Sequence, residues 1–166
     1  MRGFLLDTNV ISEPGKAAPD SAVMRWLNSA DERDLFLSVL TFGEISRGVA
    51  LLPVSKKRTR HERFLTQLDK RFDGRILALD RAVAERWGML SARCVASGSP
   101  MPTVDAMLAA TALAYDLTMV TRNVSDFRHA GIPLIDPFAA VSPSSATARR
   151  EACRMPEAEH GPRCIR

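Results

Sequence analysis

The chain has little of what builds covalent cross-links or soft-metal centres: three cysteines and three histidines in 166 residues. Cys94, Cys153 and Cys164 are far apart and odd in number, which excludes a disulfide framework and any zinc-ligand spacing. They read as free thiols. No apolar stretch approaches the roughly 18 residues that a membrane helix requires. Met1-Arg2-Gly3 runs directly into a short apolar segment, without the core and small-residue cleavage site of a secretory signal, so a cytoplasmic protein is expected. There is no internal repeat. The net charge is only +4, and residues 140–166 hold five arginines against three glutamates. Basicity in the rest of the chain is therefore local, which argues against a globally nucleic-acid-coating protein.

What is present is a regular alternation of short apolar runs and amphipathic stretches over one domain's length. Residues 3–6 read as a buried strand, followed by a short helix around 9–13 that Pro14-Gly15 ends. Ala22, Val23, Trp26 and Leu27 place a helix over 20–30, capped by Asp20 or Ser21. Leu35–Val39 is a second strand, after which Thr41 caps a helix carrying Phe42, Ile45, Val49 and Leu52 until Pro53. Ser55 opens a further helix. Arg75–Leu79 is a third strand, and Asp80 caps a long helix to about Ser97 with Val83, Trp87, Leu90 and Val95 inward. Val104, Met107, Leu108, Thr111, Ala112 and Tyr115 form a helical stripe. Strands at 118–121 and 133–135 complete the series. This order predicts an α/β fold: a central parallel sheet of about five strands, covered by helices on both faces. From about residue 141 the composition turns to Ser, Pro, Ala, Arg and Glu, which reads as a disordered tail.

Three of the apolar runs lead into a carboxylate or amide. Leu5-Leu6 precedes Asp7, Leu35–Leu40 precedes Glu44, and Val120 precedes Thr121-Arg122-Asn123; the Pro102-Thr103 turn precedes Asp105. In a parallel sheet the strand carboxyl ends share one edge, so Asp7, Glu44, Asp105 and Asn123 would converge in one crevice. Clustered carboxylates need protons or a cation between them. Oxygen ligands without histidine or cysteine favour magnesium, with manganese as the alternative. Each residue also has a plainer reading. Asp7 and Thr103 stand where helix N-caps belong, Thr41-x-x-Glu44 has the form of a capping box, and Asp105 lies in a first helical turn. Taken together, the acids suit phosphodiester hydrolysis, in which a cation polarises the phosphoryl group and a carboxylate takes a proton from water. The rivals are an aspartyl-phosphate phosphatase using Asp7, which would want a second aspartate where Asn9 stands, and a metal-free regulatory or RNA-binding module.

Leu5–Pro14, the Glu44 helix, Val104–Ala112 and Val120–Phe127 resemble, in order and approximate spacing, the PIN-domain family, and more narrowly its VapC and FitB type toxin ribonucleases. The resemblance covers about residues 3–138 and implies a three-layer PIN-like domain over 1–140 with a tail at 141–166. It also implies a magnesium-dependent endoribonuclease that is the toxin of a toxin–antitoxin pair, with an RNA substrate, an antitoxin partner and a homodimeric state. Asp7, Glu44 and Asp105 match the family's acidic positions and are the implied metal ligands. The fourth position, acidic in many members, is Asn123 here, and Asp126 is the nearest carboxylate that could substitute. Thr8 and Thr121 are implied to be hydrogen-bonding supports.

Lys56-Lys57-Arg58-Thr59-Arg60-His61-Glu62-Arg63 concentrates basic side chains on one predicted helix. It reads either as a phosphate-contacting surface or as a solvated helix face. His61, His129 and His160 lie outside the acidic motifs.

Overall fold

The computed structural model describes residues 3–139; the expected tail, with Cys153, Cys164 and His160, lies outside them. Five short strands, β1 (Phe4–Leu6), β2 (Leu35–Ser38), β3 (Ile76–Leu77), β4 (Thr118–Val120) and β5 (Leu134–Ile135), form one sheet in the order β3-β2-β1-β4-β5. Every pairing is parallel. Seven α-helices accompany them among the described residues: α1 (Thr8–Ile11), α2 (Ser21–Ser29), α3 (Val39–Ala50), α4 (Lys56–Arg71), α5 (Arg81–Ala96), α6 (Thr103–Ala114) and α7 (Val124–Phe127).

Successive strand residues point to opposite faces of a sheet, and the two cores follow that rule. Leu6 and Val120 pack with Val10, Val23, Ile45, Val49 and Leu68 of α1 to α4. Leu5 and Met119 pack with Leu90, Cys94, Leu108, Ala109 and Phe127 of α5 to α7. Leu5 and Leu6 are both fully buried, each such side chain contributing roughly 1.5–3 kcal/mol through removal from water. This two-sided burial is why β1 reads as an unbroken apolar run rather than an alternating one. Gly3 leads into it through a tight passage. A Cβ there would sit 2.6 Å from Phe36 Cε2 and 2.9 Å from the Asp34 carbonyl oxygen.

The chain winds outward from β1 through β2 to β3, then returns to the other side of β1 as β4 and β5. The order therefore reverses at the β1/β4 ladder, where Leu6 pairs with Val120. Crevices at the carboxyl ends of such strands are where open α/β sheets bind ligands.

Several boundaries differ from the sequence reading. The first helix begins at Thr8 and ends at Ile11, and Glu13–Gly15 forms a separate 3-10 turn. Helix α3 starts at Val39, because Ser38 rather than Thr41 is its cap, the Ser38 hydroxyl accepting from Leu40 N–H at 3.2 Å. Thr41 is instead buried inside α3, its hydroxyl 3.5 Å from the Leu6 carbonyl. At α6 the cap position is Pro102, with no side-chain bond, and Thr103 is the first helical residue. Val95 is 65% exposed and Cys94 takes the inward position on α5. Helix α6 is buried on most of its circumference, including Ala106, Ala109 and Ala110, whereas Val104 and Tyr115 at its two ends are exposed. Its alanines let α5 pack closely against it.

Candidate active site

Asp7 follows β1 directly, and its backbone N–H extends the ladder by bonding the Val120 carbonyl at 3.0 Å. The side chain is buried, and donors converge on it. Oδ1 accepts from Thr8 N–H at 2.6 Å, while Oδ2 accepts from Asn9 Nδ2 at 2.6 Å and Thr121 Oγ1 at 2.6 Å. Thr121, after β4, is wholly buried. Its hydroxyl donates to Asp7 and accepts from Asn123 N–H at 2.9 Å and from Asn9 Nδ2 at 3.3 Å, which uses its one proton and both lone pairs. The Asn9 side-chain Oδ1 accepts from Arg122 N–H at 3.1 Å. The loops after β1 and β4 are thereby tied into one rigid rim.

Glu44 projects from α3 and accepts from Thr8 Oγ1 at 2.5 Å. Since α3 begins at Val39, Glu44 lies beyond the first turn and is no part of a capping box. The capping explanation survives for Asp7 and fails for Glu44. Asp105 occupies the first turn of α6. Its carboxyl is held above the usual aspartate range, first by burial and then by the negative charges of Asp126, Asp7 and Glu44. Residues as far apart in sequence as Asp7 and Asp126 thus share one electrostatic environment.

Asp7, Glu44, Asp105 and Asn123 line a single hollow of about 390 Å³, together with Thr8, Asn9, Ser12, Lys16, Leu108 and Phe127. Asn123 stands at the cap position of α7 without making a side-chain cap bond. Asp126 does not line the hollow; exposed on α7, it accepts from Ser125 Oγ at 3.1 Å and reaches Asp105 through its charge. Among the described residues no three acids, histidines or cysteines are already drawn together as a ligand shell. Two of the acids have ties of their own instead, Glu44 to Thr8 and Asp7 to Thr121 and Asn9. The donor set is nonetheless that of a hard divalent ion: carboxylate and amide oxygens, with no sulfur or imidazole among the described residues that line the hollow.

Ser12, Lys16, Leu108 and Phe127 were not anticipated from the sequence. Two of them carry a signal in hindsight: Ser12 lies four residues after Thr8, and Leu108 three after Asp105, helical spacings that share a face. A second groove, of about 320 Å³, shares Thr8, Ser12 and Glu44 with the first and is walled by Ile45, Val49, Leu52 and Phe64, with Lys57 and His61 at its α4 side. Of the basic run, Lys56, Arg60 and Arg63 line a separate hollow on α4, while Arg58 pairs with Glu62 at 2.8 Å. Arg122 lies over the Phe138 ring, 4.5 Å from its centroid. Asp80 caps α5, accepting Val83 N–H at 2.9 Å, and takes no part in the rim.

The sequence model of the PIN domain family matches residues 4–132. Toxin FitB of Neisseria gonorrhoeae is 38% identical over 136 residues, covering 81% of this chain and 98% of that protein. VapC ribonuclease Y4jK of Sinorhizobium fredii is 36% identical, covering 81% of this chain and 97% of its own length. Among solved structures, FitAcB from Neisseria gonorrhoeae superposes with a TM-score of 0.78 at 37% identity, covering 82% of this chain and 99% of the other.

Proposed function

We propose, from the premise that this chain belongs to the PIN-domain family, that it is a metal-dependent endoribonuclease and the toxin of a toxin–antitoxin pair. The observation that carries the reading is the convergence of Asp7, Glu44 and Asp105 on one hollow, with Asp105 pushed toward its protonated form by burial and by neighbouring carboxylates. In the proposal Asp7, Glu44 and Asp105 hold magnesium, or manganese in its place. When bound, such an ion neutralises charge on the phosphoryl oxygens of the scissile bond.

The protein's own groups do the rest. Thr121 and Asn9 fix the Asp7 carboxylate, so that it does not reorganise as charge builds nearby. Asp7 or Asp105 would accept a proton from the attacking water. Asn123 is a neutral oxygen donor at the fourth position, and Asp126 sets the local potential from outside the hollow. The substrate is single-stranded or loop RNA, since unstacked strands are what sequence-specific RNA enzymes usually read. A toxin of this kind must be held silent. The partly apolar groove beside the hollow suits an antitoxin segment, and an arginine from it would neutralise the acids in place of a cation. Self-association as a homodimer and a cytoplasmic location complete the proposal.

Purified protein should cut RNA with magnesium, stop when a chelator is added, and lose cleavage in Asp7→Asn and Asp105→Asn while remaining folded. Cleavage surviving in both variants rejects the mechanism. Calorimetric titration with manganese separates this enzyme from a metal-free RNA-binding module, which would give no binding heat.

A further inference from the structure

Among the described residues, the hollow that gathers Asp7, Glu44 and Asp105 is lined by one cationic side chain, Lys16. It comes from the loop after the 3-10 turn, and its ammonium forms an ion pair with Glu13 Oε2. Glu13 is an unusual anchor, because its side chain is only 4% exposed while Lys16 keeps 46%. Glu13 Oε1 accepts from Asp20 N–H at 2.8 Å, which locks the carboxylate between the turn and the start of α2. Burial, and less so the Asp20 charge, push the Glu13 carboxyl up; Lys16 and the Asp20 N–H together outweigh them and hold it below the usual glutamate range. A charged, immobile glutamate thus fixes the root of a lysine whose exposed part borders the acidic hollow.

A buried glutamate needing only a counterion could be served by a lysine facing bulk solvent. Here the lysine borders the hollow where the proposed chemistry takes place. We infer that Lys16 is a phosphate-binding residue of the substrate site and that Glu13 is the residue that positions it. A compact ammonium suits a single nonbridging oxygen of an RNA phosphate next to the scissile one. It supplies positive charge at a rim whose acids would otherwise repel the strand. The inference rests on the nuclease reading for the identity of the strand, but its test is a binding measurement.

The test uses the full natural chain with calcium in place of magnesium, an oxygen-liganded cation of looser geometry, so that a fluorescein-labelled single-stranded RNA survives, with anisotropy followed across a salt series. Lys16→Met should weaken binding about tenfold and reduce the slope of log affinity against log salt by about 0.7, the increment for one phosphate contact on a single strand. Lys16→Arg should keep most of the affinity. Glu13→Gln retains the bond to Asp20 N–H but frees Lys16, and should weaken binding by a smaller factor with the slope intact. A purely structural ion pair predicts a lower melting temperature for Lys16→Met with affinity and slope unchanged, and that result overturns the assignment. RNA binding in calcium without any cleavage in magnesium would reject the nuclease reading and leave Lys16 judged on its slope. No RNA binding at all would reject both.

Discussion

Thr121→Val isolates the link that joins the two halves of the rim. The substitution keeps the volume of a fully buried side chain and removes its hydroxyl. Three bonds go with it: the 2.6 Å donation to Asp7, and acceptance from Asn123 N–H at 2.9 Å and from Asn9 Nδ2 at 3.3 Å. A hydrogen bond to a charged group contributes about 1.5–3 kcal/mol. Asn123 is exposed, so its N–H can turn to water, and Asn9 keeps its shorter bond to Asp7. The loss should be about 2–3 kcal/mol, most of it from the Asp7 bond. Urea unfolding in chelator, followed by the fluorescence of Trp26 and Trp87, should show a lower midpoint at an unchanged slope. At about 2–4 °C per kcal/mol for a domain of this size, the melting temperature should fall by about 4–12 °C. Thr121→Ser keeps the hydroxyl and should lose only the contribution of a buried methyl, about 1 kcal/mol. If Val and Ser variants lose equal stability, the hydroxyl network is not what holds the rim, and the account of Asp7 as a pre-organised carboxylate fails with it.

Other substitutions test separate parts of the argument. Asp105→Asn should cut the cleavage rate by about a hundredfold or more and yet raise the melting temperature in chelator. Because the folded carboxyl binds its proton more tightly than the unfolded one, the natural chain carries no penalty below the ordinary aspartate pKa and its full penalty above the raised value. The stability gain should therefore appear as pH rises through that interval, and a gain independent of pH would contradict the cause given. Glu13 behaves oppositely. Its lowered pKa stabilises the fold above the ordinary glutamate value, and that contribution is lost as pH falls through the folded value, so Glu13→Gln should flatten the acid limb of a melting-temperature profile. Gly3→Val should destabilise by about 1–3 kcal/mol, the usual range for overpacking, since its Cβ would meet Phe36 at 2.6 Å and backbone at 2.9 Å; a urea midpoint equal to that of the natural chain would refute the tight passage.

How far the sequence could be read depended on how local the deciding signal was. Asp20, Ser55 and Asp80 each cap the helix that begins beside them, through bonds to N–H groups two or three residues on. Those signals are local, and the helix starts agree within a residue. The run Leu35–Leu40 is not separable, because β2 and the start of α3 form one nearly continuous apolar stretch, and periodicity cannot divide such a run. Ser38 was the available cap, but it is fully buried and flanked by apolar residues, so it read as strand. Lys16 was illegible for a different reason. Its partner Glu13 is buried by the packing of a 3-10 turn on α2, a tertiary event with no sequence period.

The same distinction bears on the role proposed for the acids. A helix cap and a metal ligand draw on the same residue types, and sequence spacing alone leaves them equivalent. Geometry separates them one oxygen at a time. Asp7 gives Oδ1 to the N-terminus of α1 and Oδ2 to Thr121 and Asn9, so capping orients the carboxylate toward the hollow rather than consuming it. Glu44 has no capping role once α3 begins at Val39, and its tie to Thr8 joins α3 to the residue beside Asp7. Asp105 sits where the helix dipole favours negative charge, yet burial and the surrounding acids push its proton affinity upward. A residue serving only the dipole would be stabilised in its charged form. Asp105 is opposed in it, and a carboxylate whose charge is disfavoured until a cation arrives is what the proposed metal site would use.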